Sequence, residues 1–176
     1  VAKGIRQTLG RDSREAVAKV GIKWPNDIVV DGKKVCGILT EMSMEQGYIH
    51  HIVIGVGINV RRQEFSEEIR ERAAAIDEQC GVCISRSQLI ADIMEAFEED
   101  YEIFLQTHDL KGLRDSYAKL LLNQDREVCV LDPKGEYRGI ARGINDQGEL
   151  IVERQDGTVE EVYAGEVSVR GIYGYV

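Results

Sequence analysis

The stretch Lys23-Trp24-Pro25-Asn26-Asp27-Ile28-Val29-Val30-Asp31-Gly32-Lys33-Lys34-Val35-Cys36-Gly37-Ile38-Leu39 decides how the chain folds. Asp31-Gly32 between two apolar β-type runs is a strong hairpin signal, because a type I′ turn needs φ > 0 at both central positions. A two-residue turn there sets Val30 opposite Lys33, Val29 opposite Lys34 and Asp27 opposite Cys36. Side chains alternate along a strand, so Asp27 and Lys34 emerge on one face as diagonal neighbours about 7 to 8 Å apart at the backbone. A carboxylate and an ammonium are thereby aimed into the same space. The arrangement also suits a solvated surface pair worth about 0 to 1 kcal/mol, and a bulge in either strand would break the alternation. Just upstream, Pro25 fixes its own φ and holds Trp24 extended, which ends a strand and delivers Asn26 and Asp27 into a stiff corner.

Working outward, Val20 to Trp24, Ile28 to Val30, Lys33 to Met42 and Tyr48 to Val60 read as strands. Within the last, Ile52, Ile54, Val56, Ile58 and Val60 form an apolar face at period two, while Gly55, Gly57 and Asn59 fall on the other. Two aligned glycines leave bare backbone, which suits close approach by a ligand or by a second segment of chain. The amide of Asn59 can both donate and accept, as recognition of a purine edge or a ribose requires. A dinucleotide fingerprint is excluded, since G-x-G-x-x-G would need glycine at Val60 and a helix after it.

Val1, Ile5 and Leu9 lie at helical spacing ahead of Gly10, where a helix commonly stops. Residues 66–80 and 86–106 read as amphipathic helices, the second carrying Leu89, Ile90, Ile93, Met94, Phe97, Tyr101 and Phe104. A shorter helix is expected over 109–121. Beyond Asn123, turn signals at Asp132-Pro133-Lys134-Gly135, Asn145-Asp146-Gln147-Gly148 and Gln155-Asp156-Gly157 recur at a spacing that predicts a small all-β barrel or sandwich.

The 176 residues carry a net charge of -9. Residues 123–176 hold 11 acidic and 6 basic side chains, a net of -5, which leaves -4 on residues 1–122. That balance is opposite to the basic footprint of a phosphate-backbone binder, so no nucleic-acid partner is expected for this segment. Apolar runs stay far below the roughly 20 residues that span a bilayer. Cys36, Cys80, Cys83 and Cys129 include one C-x-x-C with no second pair and no nearby His, at most half a zinc site. They are expected to be reduced cytosolic thiols. No function is legible for His50, His51 or His108. The chain opens Val1-Ala2-Lys3 without initiator Met or leader pattern, which suggests processing or a piece of something longer.

Lys23-Trp24-Pro25-Asn26-Asp27, then Lys34-Val35-Cys36-Gly37-Ile38-Leu39 with Glu41, then Ile54-Gly55-Val56-Gly57-Ile58-Asn59-Val60 stand in an order and at separations that resemble bacterial biotin protein ligases. The tail, with Val128 to Leu131, Gly139 to Gly143 and Gly157 to Gly165 spaced as short strands, is similar to the SH3-like C-terminal domain of that family. The resemblance implies an α+β fold, a mixed β-sheet catalytic domain of the class II synthetase and biotin ligase type with helices packed on it, followed by a small SH3-like β-barrel. It divides the chain into part of a catalytic domain, 1–122, and a C-terminal domain, 123–176. It implies ATP-dependent activation of biotin to biotinyl-5′-AMP, transfer to a lysine of a biotin carboxyl carrier protein, Mg²⁺ with the ATP, a cytoplasmic setting, and room for a homodimer. By motif, Lys34 and Asp27 are the catalytic pair. Lys34, Gly37, Leu39, Gly55 and Gly57 border biotin, and Asn26 and Asn59 contact the nucleotide. The family's Gly/Arg-rich loop, which closes over biotinyl-AMP, has no counterpart in residues 1–176, so the likeness is to the second half of the catalytic domain plus the C-terminal domain. A non-catalytic fragment that binds biotin or carrier protein, and a related lipoate or acyl-adenylating ligase, are the alternatives.

Overall fold

The computed structural model describes residues 1–132, 135–164 and 168–171. It opens with helix α1 (Ala2–Gly10), and Ile5 and Leu9 are fully buried as their spacing requires. A second helix, α2 (Arg14–Ala18), follows at once, started by Ser13, whose Oγ accepts from the Ala16 N–H at 3.2 Å. Four strands come next: β1 (Val20–Lys23), β2 (Asp27–Val30), β3 (Lys33–Glu45) and β4 (Tyr48–Ile58). They pair antiparallel in chain order, and among the described residues parallel contacts enter at the isolated bridges Ile22 to Leu121 and Lys34 to Ala73. Asp31 (φ 48) and Gly32 (φ 79) make the expected left-handed turn. Gln46 (φ 47) and Gly47 (φ 84) repeat it between β3 and β4, in residues the sequence had left unassigned.

The register departs from the simple two-residue count beyond Lys34. Val30 faces Lys33 and Val29 faces Lys34, but Ile28 then faces Cys36 and Asp27 faces Gly37, not Cys36. Val35 is the extra residue of a β-bulge. Both Val35 and Cys36 are buried in the core beneath the helices, and the bulge is what lets two consecutive apolar side chains enter it together. Asp27 and Lys34 still share a face, because that relation runs through Val29 on the unbulged strand.

Helix α3 covers only Ile76–Cys80, not 66–80. In the preceding segment the Lys34 N–H donates to the Arg72 carbonyl at 2.8 Å, and the Ala74 N–H donates to the Lys34 carbonyl at 3.0 Å. Pairing with β3 has taken the backbone groups that a helix would have used. Helix α4 (Arg86–Thr107) forms over the expected residues, capped by Ser85 and burying Leu89, Asp92, Ile93 and Ala96, but Ile90, Met94, Phe97, Tyr101 and Phe104 of its expected apolar face are exposed. The expected helix over 109–121 shrinks to α5 (Arg114–Ala118), because Leu120 and Leu122 bond instead to Ile22 of β1.

Strands β5 (Glu127–Leu131), β6 (Tyr137–Ile144), β7 (Leu150–Glu153), β8 (Val159–Val162) and β9 (Ser168–Gly171) form the second sheet, antiparallel in the order β8-β7-β6-β5-β9. Gly148 (φ 87) and Gly157 (φ 82) sit in two of the three expected turns. Pro133 and Lys134 of the remaining turn, and Gly165, lie outside the described residues.

Two buried clusters result. One joins α1 to α4 and the inner face of the first sheet through Ile5, Leu9, Val30, Cys36, Leu89 and Ile93. The other lies in the second sheet around Val128, Val130, Leu150 and Val152, and it includes Trp24 from the far end of β1. The apolar face read on β4 is only half covered: Val60 is buried, while Ile52, Ile54 and Val56 are exposed. No helix among the described residues is long and apolar enough to cross a membrane.

Candidate functional site

Across the first sheet the register sets Lys23 opposite Asp27, Asp27 opposite Gly37 and Gly37 opposite Gly57. Directly opposed residues share a face, so two charged positions run on into two bare ones. The Lys34 side chain folds over Gly37 and its Nζ forms an ion pair with Asp27 Oδ1. A Cβ on Gly37 would stand 3.0 Å from Lys34 Cε and Nζ and 3.6 Å from Asp27 Oδ1, so glycine here leaves the volume the lysine occupies. The Asp27 side chain is 10% exposed and that of Lys34 38%. The carboxylate is therefore the sunken member that aims the ammonium, and the ammonium is the one that meets solvent.

Gly57 and Gly55 have a different reason to be glycine. A Cβ on either would meet only a backbone oxygen, Gly37 O at 3.8 Å or Leu39 O at 3.6 Å, both ordinary contacts. No described segment crosses them closely, so the bare backbone faces open space. Leu39, opposite Gly55, is exposed at the rim.

Asn59 leaves the end of β4 with its backbone fixed on both sides. Its N–H donates to Val35 O at 2.8 Å, its carbonyl accepts from the Ile76 N–H at 2.8 Å, and its Oδ1 accepts from Gln63 Nε2 at 3.0 Å. The segment after it returns over Lys34. Phe65, Ile69, Arg72 and Ala73 thereby wall an open cleft of about 700 Å³ whose other lining includes Lys34, Gly37, Gly57 and Asn59.

The structure thus brings Lys34, Gly37, Gly57 and Asn59 to one cleft, with Asp27 held against it through its ion pair with Lys34 and with Gly55 and Leu39 two residues along the strands. It sets Asn26 apart. The Asn26 side chain donates to Ile38 O at 2.8 Å while the Ile38 N–H donates to Asn26 O at 3.0 Å, which clips the corner onto β3. Asn26 borders a separate apolar cavity with Trp24, Pro25 and Tyr117.

Phe65 and Arg72 escape sequence reasoning because their segment looks helical. The signal that could have found them is Ala73-Ala74-Ala75: Ala74 and Ala75 are buried, and three small side chains let a backbone lie flat against β3. Cys36 also borders the cleft, but it is buried in the core cluster beneath the helices, where burial pushes its thiol up to about 11. Among the described residues no cluster of His, Cys, Asp and Glu is arranged to hold a metal ion. The cleft offers a held cation, a second basic side chain in Arg72, an amide and a stripe of open backbone. That combination suits a flat ligand bearing a carboxylate or phosphate.

The chain is similar to known proteins over most of its length. Residues 1–59 match the Biotin/lipoate A/B protein ligase family, and residues 125–170 match the Biotin protein ligase C terminal domain. The chain is 37% identical over 174 residues to the bifunctional ligase/repressor BirA of Bacillus spizizenii, covering 96% of this chain and 50% of that protein. It superimposes on the apo biotin protein ligase of Aquifex aeolicus with a TM-score of 0.77 at 26% identity, covering 97% of this chain and 73% of that one. The Aquifex enzyme in complex with biotin and ATP gives 0.72 at 26% identity, with 96% and 72% covered. The chain spans about half the length of the BirA proteins it matches.

Proposed function

Because the chain belongs to the biotin protein ligase family, we propose that this protein activates biotin with ATP and transfers the biotinyl group to a lysine of a biotin carboxyl carrier protein. The observation that carries the proposal is the Lys34 ammonium, aimed by Asp27 over the Gly37 backbone at the mouth of a glycine-floored cleft that ends in Asn59.

In the first step a biotin carboxylate oxygen attacks the α-phosphorus of ATP, the bond to the β-phosphate oxygen breaks, and pyrophosphate leaves. Two anions must approach each other, and a fixed ammonium offsets that repulsion and the charge that builds on the phosphoryl oxygens. Lys34 supplies it. Asp27 keeps the ammonium from swinging into solvent, so little reorganisation remains at the moment of reaction. The open backbone at Gly55 and Gly57, with Leu39 at the rim, takes the flat apolar body of biotin. Asn59, Phe65 and Arg72 take the nucleotide, and Asn26 serves by holding the corner that carries Asp27. In the second step the carrier lysine's amine attacks the acyl carbon, and AMP leaves with the bonding pair. Mg²⁺ would come with ATP as the counterion of its phosphates rather than on a cage of side chains. The carboxylate nearest the cleft is already engaged by Lys34, and Mg²⁺ keeps several waters and binds through substrate phosphates.

We assign residues 1–122 to the catalytic domain and 123–176 to the SH3-like domain, supported by the second sheet, which begins at β5, although Trp24 and Leu121 of the first part also enter its buried cluster. The test is incorporation of biotin into a carrier protein with ATP and Mg²⁺. Labelling that needs both substrates and collapses in Lys34→Ala supports the proposal, and transfer of lipoate or octanoate in place of biotin would move it to the related ligases.

A further inference from the structure

Trp24 belongs by sequence to the corner that carries Asn26 and Asp27, yet its ring is seated in the other core. It is 1% exposed and packs with residues of β5, β6 and β7. Both of its N–H groups are held from that side. The backbone N–H donates to Asn123 Oδ1 at 3.2 Å, and the indole Nε1–H donates to Gly148 O at 3.0 Å. Asn123 is itself buried, and Gly148 closes the Asn145-Asp146-Gln147-Gly148 turn between β6 and β7. That turn is braced in its own right: Asp146 O accepts from the Leu110 N–H at 2.9 Å, and Asp146 Oδ1 pairs with Arg114 at 2.8 Å.

The corner is therefore pinned at three points: Trp24 by the second sheet and its turn, Asn26 by Ile38 of β3, and Asp27 by Lys34. Pro25 between the first two removes a backbone freedom, so displacement of Trp24 is passed on to Asn26 and Asp27 rather than absorbed. From these contacts we propose that Asn123 and the 145–148 turn are positioning elements for the reaction, acting through Trp24 on Asp27 and hence on the Lys34 ammonium. The proposal rests on the ligase function above and adds to it a route by which the C-terminal sheet sets the geometry of a site it does not line.

A core tryptophan that merely packs would lower stability when altered and leave turnover intact. A positioning tryptophan changes kcat more than KM, and its effect vanishes once Asp27 no longer aims the lysine. In the full-length protein, Trp24→Phe keeps most of the apolar volume and loses the bond to Gly148, while Asn123→Ala leaves the Trp24 N–H unmatched. Each should lower kcat for biotin-dependent ATP–pyrophosphate exchange about tenfold or more, with KM for biotin and ATP within about threefold, as expected for a misplacement remote from bound substrate. Asn123→Asp, which keeps an oxygen acceptor, should recover most of the rate. In an Asp27→Asn background, Trp24→Phe should cost little further.

Hydrogen exchange on the same proteins decides the coupling without any activity. Asn123→Ala should speed exchange across residues 24–30 and leave α4 unchanged. Faster exchange confined to the second sheet, or a Trp24→Phe loss as large in the Asp27→Asn background as in the parent, overturns the proposal. Absence of exchange activity in the parent protein overturns the ligase function instead, and the hydrogen-exchange result then still stands or falls by itself.

Discussion

The Lys34 ammonium and the Asp27 carboxylate pair across a β-bulge, over a Gly37 that leaves the space for the lysine stem. The pair is asymmetric in exposure, and on the proposed function that asymmetry gives Asp27 the holding part and Lys34 the acting one. Lys34→Ala should lower adenylate formation roughly a hundredfold or more, the scale of losing one preorganised electrostatic partner. Asp27→Asn should cost less, because the ammonium remains and only its aim is loosened. Rates of pyrophosphate exchange check both, and equal losses would mean that the carboxylate has a role of its own in the chemistry.

Gly37→Ala should separate activity from folding. The new methyl would meet the far end of a flexible side chain, which can move aside, so stability should change by less than about 1 kcal/mol. Lys34 would then be turned out of its place, and turnover should fall about tenfold or more. A melting curve and a rate on the same sample decide it.

Gly4→Ala should do the reverse. Alanine is favoured over glycine in a helix by about 1 kcal/mol, but a Cβ here would lie 2.5 Å from the Ile93 backbone of α4. Forcing α1 and α4 apart should outweigh the propensity and give a net loss of about 1 to 3 kcal/mol, read as a lower urea midpoint.

Much of this was legible beforehand. The hairpin, the shared face of Asp27 and Lys34, and the glycines beside Asn59 follow from a turn signal and a period of two, both local rules. The bulge at Val35 was not legible, because it depends on whether two neighbouring apolar side chains both find room in a core that other elements build. The 66–73 segment was misread for a similar reason: its helical spacing is real, but bonds to Lys34 outweigh weak intrinsic propensity. The seat of Trp24 lies 124 residues away in sequence at Gly148, and no window-based reasoning reaches that far.

Acid stability should depend on Asp92. Its carboxyl is held well below the ordinary range, first by hydrogen bonds from Arg11, against the opposing effect of burial, and further by Thr8 and Gln88. A depressed folded pKa stabilises above the unfolded value of about 4 and loses that contribution as pH falls below it. Asp92→Asn should therefore be less stable than the parent at pH 7, and the two should converge toward pH 2. A gap that stays constant from pH 7 to pH 2 would remove the linkage.

The thiols should react in an order set by exposure. Cys83 is exposed, whereas Cys36 is buried with its thiol pushed up to about 11. Iodoacetamide at pH 8 should label Cys83 in the folded protein and Cys36 only in denaturant, as peptide mass spectrometry can show. Early modification of Cys36 would mean that the bulged region of β3 opens readily.

The seat of Trp24 also governs when the site is finished during synthesis. The corner is made before its pocket, which is built of strands that continue to Val169, and contacts of such long sequence separation form late. The hairpin bearing Asp27 and Lys34 can close long before, while the corner that orients it waits for the second sheet. A nascent chain thus brings its cation and carboxylate together before the strands that seat Trp24 have been made.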